Sequence, residues 1–324
     1  GADVMDVTIS ADGDQLFILD ANASLHLGRI SDNGIHVTHA AQLIPHTSDN
    51  QADPAGETVP QLAEIIDRKN SRDHQWISVS ASTNRAAFAT SGNRIAVFDC
   101  ATHNQLADLI ADFGEPTDEW FTALAISPDG QTVAAACTDA RLRIWSVDTS
   151  QLLLNRKYTN TVECVCFSPN SQQLVVGGRF EQLERLSLPD GNLIWSRQAG
   201  DGAYCAAFAT DASTLVTGHG DGTVRIWDTS DNTQQVAMHG HATPLSVLTL
   251  ADNGQTVASI DERGDVNLWN VRRQQPIGRM FTQAATHVRF HRLLIPPRQT
   301  FAYAVVSTHH GERLLKRIDL RPHR

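Results

Sequence analysis

Histidine spacing in this chain invites a metal reading. His239 and His241 flank Gly240, and His219 lies upstream in the glycine-rich stretch Gly218-His219-Gly220-Asp221-Gly222. Zinc would take three or four such ligands in a tetrahedral array. Cys164 and Cys166 alternate within a strand-like run, Val162-Glu163-Cys164-Val165-Cys166-Phe167, but no second thiol pair stands at zinc-ribbon spacing. The glycine-rich stretch opens no helix and lacks the lysine of a phosphate loop. A nucleophile elbow, a His-Glu-x-x-His motif and a dinucleotide fingerprint are all missing. No catalysis, metal or cofactor is therefore expected of this chain. Asp112-Phe113-Gly114-Glu115-Pro116-Thr117-Asp118-Glu119-Trp120-Phe121 offers a different chemistry. It sets carboxylates beside aromatics, which suits a basic peptide carrying a hydrophobic anchor.

The elements that must position these residues are short strands. The 324 residues carry 26 Lys and Arg against 36 Asp and Glu, a net charge of −10 with His neutral. That balance argues against general nucleic-acid binding, which needs clustered cations, and against docking on an anionic membrane. No run approaches the roughly 18 to 20 apolar residues that span a bilayer. The opening GADVMDVTIS has neither a basic nor an apolar leader segment. Five cysteines make a sparse, odd set, unlike a disulfide framework, and fit a reducing, cytoplasmic setting.

Internal repetition is the dominant signal. Turn tetrapeptides recur at Ser127-Pro128-Asp129-Gly130, Ser168-Pro169-Asn170-Ser171, Ala209-Thr210-Asp211-Ala212 and Ala251-Asp252-Asn253-Gly254. The apolar residues before them, Ile126, Phe167, Phe208 and Leu250, stand 41, 41 and 42 residues apart. A second marker follows in each unit: Arg143-Ile144-Trp145, Arg225-Ile226-Trp227-Asp228 and Asn267-Leu268-Trp269-Asn270, with Leu186 and Phe98 taking the Trp place elsewhere. One apolar run lies between the markers and another after the Trp, so each unit reads as a four-stranded antiparallel meander. In this register Cys164 and Cys205 share a column with Ala123 and Val247, and Cys166 one with Ala125 and Ala207. Columns of small residues are packing columns, so the cysteines are expected to be structural.

On these markers the sequence resembles the WD-repeat β-propeller family, and the stretch 214–228, TLVTGHGDGTVRIWD, is its clearest copy. The resemblance implies an all-β, seven-bladed propeller of four-stranded antiparallel blades, and the departures from the family pattern set out below suggest a divergent, bacterial member. Units lie near 3–45, 76–119, 120–160, 161–202, 203–244, 245–286 and 287–320, with an insertion at 46–75 on one face and a short helix expected near 59–66. In the family a His, a Ser or Thr, an Asp and the Trp form a hydrogen-bonded tetrad. Its remnants here are Asp139 and Trp145, then Thr217, Asp221 and Trp227, then His241, Ser259 and Trp269. No unit reads as complete: Ala135 takes the hydroxyl place in the third, no loop His serves the fifth, and Arg263 stands where the sixth needs an Asp.

The last unit has three strands, lacking its outer one, which raises the expectation that the native protein continues upstream of Gly1. The resemblance then suggests a catalytic domain there, for example a serine/threonine kinase. Function falls to the face bearing the b–c turns and d–a loops, called the top. Its candidates are Asp118, Glu119, Trp120, Phe180, Asp201, His219, Arg263 and His309. They are expected to bind a protein or peptide of basic character. The alternative is a regulatory module acting in cis on an upstream domain of the same polypeptide.

Overall fold

The computed structural model describes residues 4–9, 15–20, 24–31, 34–42, 77–80, 82–89, 93–102, 104–112, 120–230, 233–251, 254–281, 289–295, 301–307 and 313–319. The expected helix near 59–66 and the 46–75 insertion fall outside them. Blade one comprises β1 (Val4–Ile9), β2 (Gln15–Asp20), β3 (Ser24–Ser31) and β4 (Gly34–Gln42). Blade two comprises β5 (Ile77–Val79), β6 (Arg85–Ala89), β7 (Arg94–Asp99) and β8 (Gln105–Ile110). Blade three is β9 (Phe121–Ile126), β10 (Thr132–Cys137), β11 (Arg141–Ser146) and β12 (Leu152–Lys157). Blade four is β13 (Val162–Phe167), β14 (Gln173–Gly178), β15 (Gln182–Ser187) and β16 (Leu193–Gln198). Blade five is β17 (Ala203–Phe208), β18 (Thr214–His219), β19 (Thr223–Asp228) and β20 (Gln234–His239). Blade six is β21 (Leu245–Leu250), β22 (Thr256–Asp261), β23 (Val266–Asn270) and β24 (Gln275–Phe281). Blade seven has three strands, β25 (Arg289–Leu294), β26 (Phe301–Ser307) and β27 (Arg313–Asp319).

Each sheet pairs its strands in chain order and antiparallel. The innermost strands β1, β5, β9, β13, β17, β21 and β25 neighbour one another in turn, and β25 returns to β1. This is a closed seven-bladed propeller.

The burial pattern explains why the strands alternate so little. In β10 and β18 five of six residues are buried, because each blade is covered on both faces by its neighbours. In outer strand β12 none is fully buried. The apolar clusters sit between blades rather than within them. One joins blades three and four through Ala134, Ile144, Val165 and Leu174. Another joins blades four and five, where Trp195 stacks on Trp227 at 6.3 Å.

The repeated tetrapeptides are the a–b turns. Each closes with an N–H donated from its fourth residue to the carbonyl of its first, as from Gly130 to Ser127 (2.8 Å) and from Ala212 to Ala209 (2.9 Å). That fourth residue is left-handed every time: φ is 70° at Gly130, 61° at Ser171, 57° at Ala212 and 63° at Gly254. Neighbouring turns interlock on the bottom face. The Ser80 hydroxyl donates to the Pro128 carbonyl (2.6 Å), and the Asp129 amide donates to the Ser171 hydroxyl (3.1 Å).

Candidate interaction face

Blade six holds a finished tetrad, against the sequence expectation. The Trp269 indole donates to Ser259 Oγ (2.7 Å), and Ser259 Oγ meets His241 Nε2 (2.7 Å). His241 Nδ1 lies 3.2 Å from Asp261 Oδ2, a contact whose off-line geometry makes it electrostatic more than a directed hydrogen bond. The carboxylate comes from the last residue of β22, two positions before Arg263, and is buried. Burial works against its charge. The imidazole of His241 and the Asp265 amide nevertheless hold Asp261 below the usual carboxylate range. Arg263 is exposed in the turn beyond.

Blade five reaches a similar result by a different route. Trp227 donates to Thr217 Oγ1 (2.8 Å), and Thr217 Oγ1 meets His219 Nε2 (2.7 Å). His219 Nδ1 in turn donates to the Ala199 carbonyl (3.1 Å). A carbonyl only accepts, so Nδ1 carries the proton and Nε2 accepts from the threonine hydroxyl. Burial, helped by the charge of Arg225, holds the imidazole down at about 4. His219 ends β18 and is fully buried, so its expected place on the binding surface is corrected to a structural one. The position two residues past the strand-b hydroxyl holds His in blade five and Asp in blade six, and each serves its own tetrad.

Phe180 is corrected in the same way. It is buried and stacks on Tyr158 at a centroid distance of 4.9 Å. Tyr158 occupies the column of His241, four residues before strand a, and Phe180 the column of Asp221. Blade four, with Val176 and Leu186 in the hydroxyl and Trp places, has thus exchanged the polar tetrad for apolar stacking. The Tyr158 hydroxyl donates to Glu184 (3.1 Å). In blades three and five the turn aspartate pairs with the strand-c arginine, Asp139 with Arg143 (2.6 Å) and Asp221 with Arg225 (2.7 Å). Arg143 also donates to the Asp112 carbonyl (3.0 Å), tying the d–a connection down, while Trp145 packs buried beside it.

Other top-face residues remain accessible. Trp120 is half-buried, with its amide donating to Thr138 Oγ1 (3.1 Å). Asp201 is exposed. Asp118, Glu119 and His309 lie outside the described residues. Arg179, in the b–c turn of blade four, binds Glu163 (2.6 Å) and senses the Tyr204 and Glu262 side chains of blades five and six. Together with Glu163, these charges raise the pKa of the Arg179 guanidinium. Among the described residues no three His, Cys, Asp or Glu side chains converge as a metal set. His219 and His241, the two best metal candidates, each serve a different blade. The cysteines are free, with Cys164 and Cys205 buried. Burial pushes the thiols of Cys205 and Cys166 up to about 12 and about 11.

The WD domain, G-beta repeat family model matches residues 109–146, 152–179 and 190–228. Each matched stretch runs from the outer strand of one blade into the next blade. The chain is a WD-repeat protein. This WD-repeat chain is 23% identical over 151 residues to telomerase protein component 1 of Rattus norvegicus, covering 46% of this chain and 6% of that protein. It is 25% identical over 151 residues to WD repeat-containing protein SL1-17 of Schistosoma mansoni, covering 45% and 49%. It is 24% identical over 170 residues to pre-mRNA-processing factor 19 of Mus musculus, covering 51% and 33%. The match thus spans about half, or less, of the length of these relatives. All three are eukaryotic proteins and lend no support to a bacterial source. No helix among the described residues is long and apolar enough to cross a membrane.

Proposed function

We propose that this WD-repeat propeller is a non-catalytic scaffold that binds a protein or peptide of basic character on its top face. The observation that carries this reading is the Glu163–Arg179 pair of blade four (2.6 Å), within electrostatic reach of Tyr204 in blade five and Glu262 in blade six. Beside them stand the exposed carboxylates of Glu181 and Asp201. Rigid blades set the spacing of these groups, so a partner meets a preformed surface and pays little ordering entropy. Asp118, Glu119, Trp120 and His309 extend the same face in sequence, and Arg263 borders it. The three named relatives support a scaffold role through their repeats.

The test is charge reversal. Glu181→Lys, Asp201→Lys and Glu262→Lys together should weaken binding of a fluorescent Lys- and Trp-containing peptide by about tenfold. Asp190→Lys with Asp211→Lys, on the bottom face, should leave it unchanged. Equal loss in both variants would show non-specific attraction and sink the top-face reading.

A second reading is favoured by the small share that the matched repeats take of a relative such as telomerase protein component 1, 6% of its length. In it the propeller is one arm of a longer polypeptide and regulates a neighbouring domain in cis. Deleting the propeller from such a parent should then change the parent's activity without any separate partner.

A further inference from the structure

One cation of the top face is built in rather than merely exposed. In six of the inner strands the pairing with strand b skips one residue near the strand's start, and in β13 that residue is Glu163. Such a bulge re-aims the side chain it carries. Here it delivers a carboxylate to Arg179 Nε (2.6 Å), with the Glu163 side chain 8% exposed against 46% for Arg179. The Arg179 backbone is fixed as well. Its amide donates to the Thr161 carbonyl (2.9 Å), and a Cβ on the preceding Gly178 would stand 2.2 Å from that same oxygen.

Only Nε of this guanidinium is engaged. Nη1 and Nη2 make no hydrogen bond among the described residues. A buried carboxylate thus holds a half-exposed fork of two donor nitrogens in one orientation. The next blade sets no side chain at the matching place. That place is Gly220, whose amide donates to the Gly202 carbonyl (3.2 Å) as that of Arg179 does to Thr161. Tyr204 takes the place of Glu163, and its ring lies 3.1 Å from where a Cβ on Gly220 would stand. From blades five and six, Tyr204 and Glu262 act electrostatically on the guanidinium.

We infer that Arg179, positioned by Glu163, takes a carboxylate carried by the bound segment, so that the top face selects a basic partner with one acid at a set place. This inference rests on the top-face reading. Nη1 and Nη2 can donate side by side to the two oxygens of a carboxylate, a pairing with both strength and direction. A phosphate suits the place less well, because it brings about two negative charges toward Glu163 and Glu262 where a carboxylate brings one. The carboxylate belongs either to a chain terminus or to an Asp or Glu side chain, and the probes separate the two.

The probes are fluorescent Lys- and Trp-containing peptides of one parent sequence, titrated by anisotropy with the 324-residue chain. One is amidated, one ends in a free carboxylate, and an amidated set carries a single Glu at each position in turn. One carboxylate form should bind about fivefold more tightly than the amidated parent, and its identity assigns the source. Charge alone predicts the reverse, since each added carboxylate weakens attraction to an acidic face. Arg179→Lys keeps the charge and the counter-ion of Glu163 but loses the fork, so it should abolish the preference. Arg179→Gln should abolish it too and tighten the amidated parent about twofold, by removing a like charge. Thermal melting checks that both variants fold. If no peptide binds, the top-face reading and this inference fail together. If the peptides bind but none with a carboxylate is preferred, or the preference survives in Arg179→Lys, this inference alone fails. A phosphoserine form that binds more tightly than every carboxylate form, and loses that advantage in Arg179→Lys, would overturn it in favour of phosphate recognition.

Discussion

His219 shows how much a single buried side chain decides. Its imidazole is neutral in the fold, at about 4, against about 6.5 when unfolded. The unfolded chain therefore binds the extra proton first as pH falls. Stability contributed by the neutral ring is complete above pH 6.5 and is lost between there and pH 4, by roughly 3 kcal/mol at most. Urea midpoints measured across that window should fall, and His219→Gln, which cannot take the proton, should flatten the decline. An unchanged slope in the variant would move the acid sensitivity elsewhere, with Asp261 the next group to examine. The cysteines give a second check. With burial raising Cys164 and Cys205 far above an ordinary thiol, a disulfide reagent at about pH 8 should label them slowly in the native chain and promptly in urea. Prompt native labelling would contradict their burial.

Among the elements, the a–b turns and the Trp places were plain in the sequence because a strand–turn–strand unit is local and its period repeats. The tetrads were less legible. His219 and Asp261 sit at the end of strand b, two residues beyond the hydroxyl, whereas the family pattern looks to the d–a loop and the b–c turn. One point in space can be filled from several points in the chain, and only packing tells which. Phe180 misled for the same reason: an aromatic in a turn reads as exposed until Tyr158 is found stacked on it. The turns themselves supply a prediction. Ala212 holds φ at 57° without being glycine, whereas Gly130 holds 70° where a Cβ would run into the Thr83 side chain. Ala212→Gly relieves left-handed strain but frees the unfolded chain, so its net effect should be a gain of about 0.5 kcal/mol. Gly130→Ala should lose more than about 1 kcal/mol, and thermal melting of the pair would rank them.

At the scale of the whole molecule, each blade buries its faces against its neighbours, so the ring stands or falls as one. Where blade seven meets blade one, Asp6 gathers three partners at once. Its carboxylate accepts from Arg292 Nε (2.9 Å), from the Val7 amide (2.8 Å) and from the Ile77 amide of blade two (3.2 Å). Asp6 is 1% exposed, so neutralising it removes the buried counter-charge that faces the Arg292 guanidinium. Asp6→Asn should lower stability by about 3 kcal/mol, seen as a shifted urea midpoint, and Arg292→Gln added to it should recover part of the loss. Strictly additive effects would mean that the two side chains do not act together.

The sheets of the described residues are each built from consecutive strands, and none is shared between blades. That has a mechanical consequence. Covalent chain runs from each blade into the next, whereas between blades one and seven the described residues are held by the Asp6–Arg292 ion pair and a shared apolar cluster. Under tension applied across blades one and seven, the hoop should part at this clasp at low force, before any sheet is sheared, and Asp6→Asn should lower that first rupture force while leaving the later peaks in place.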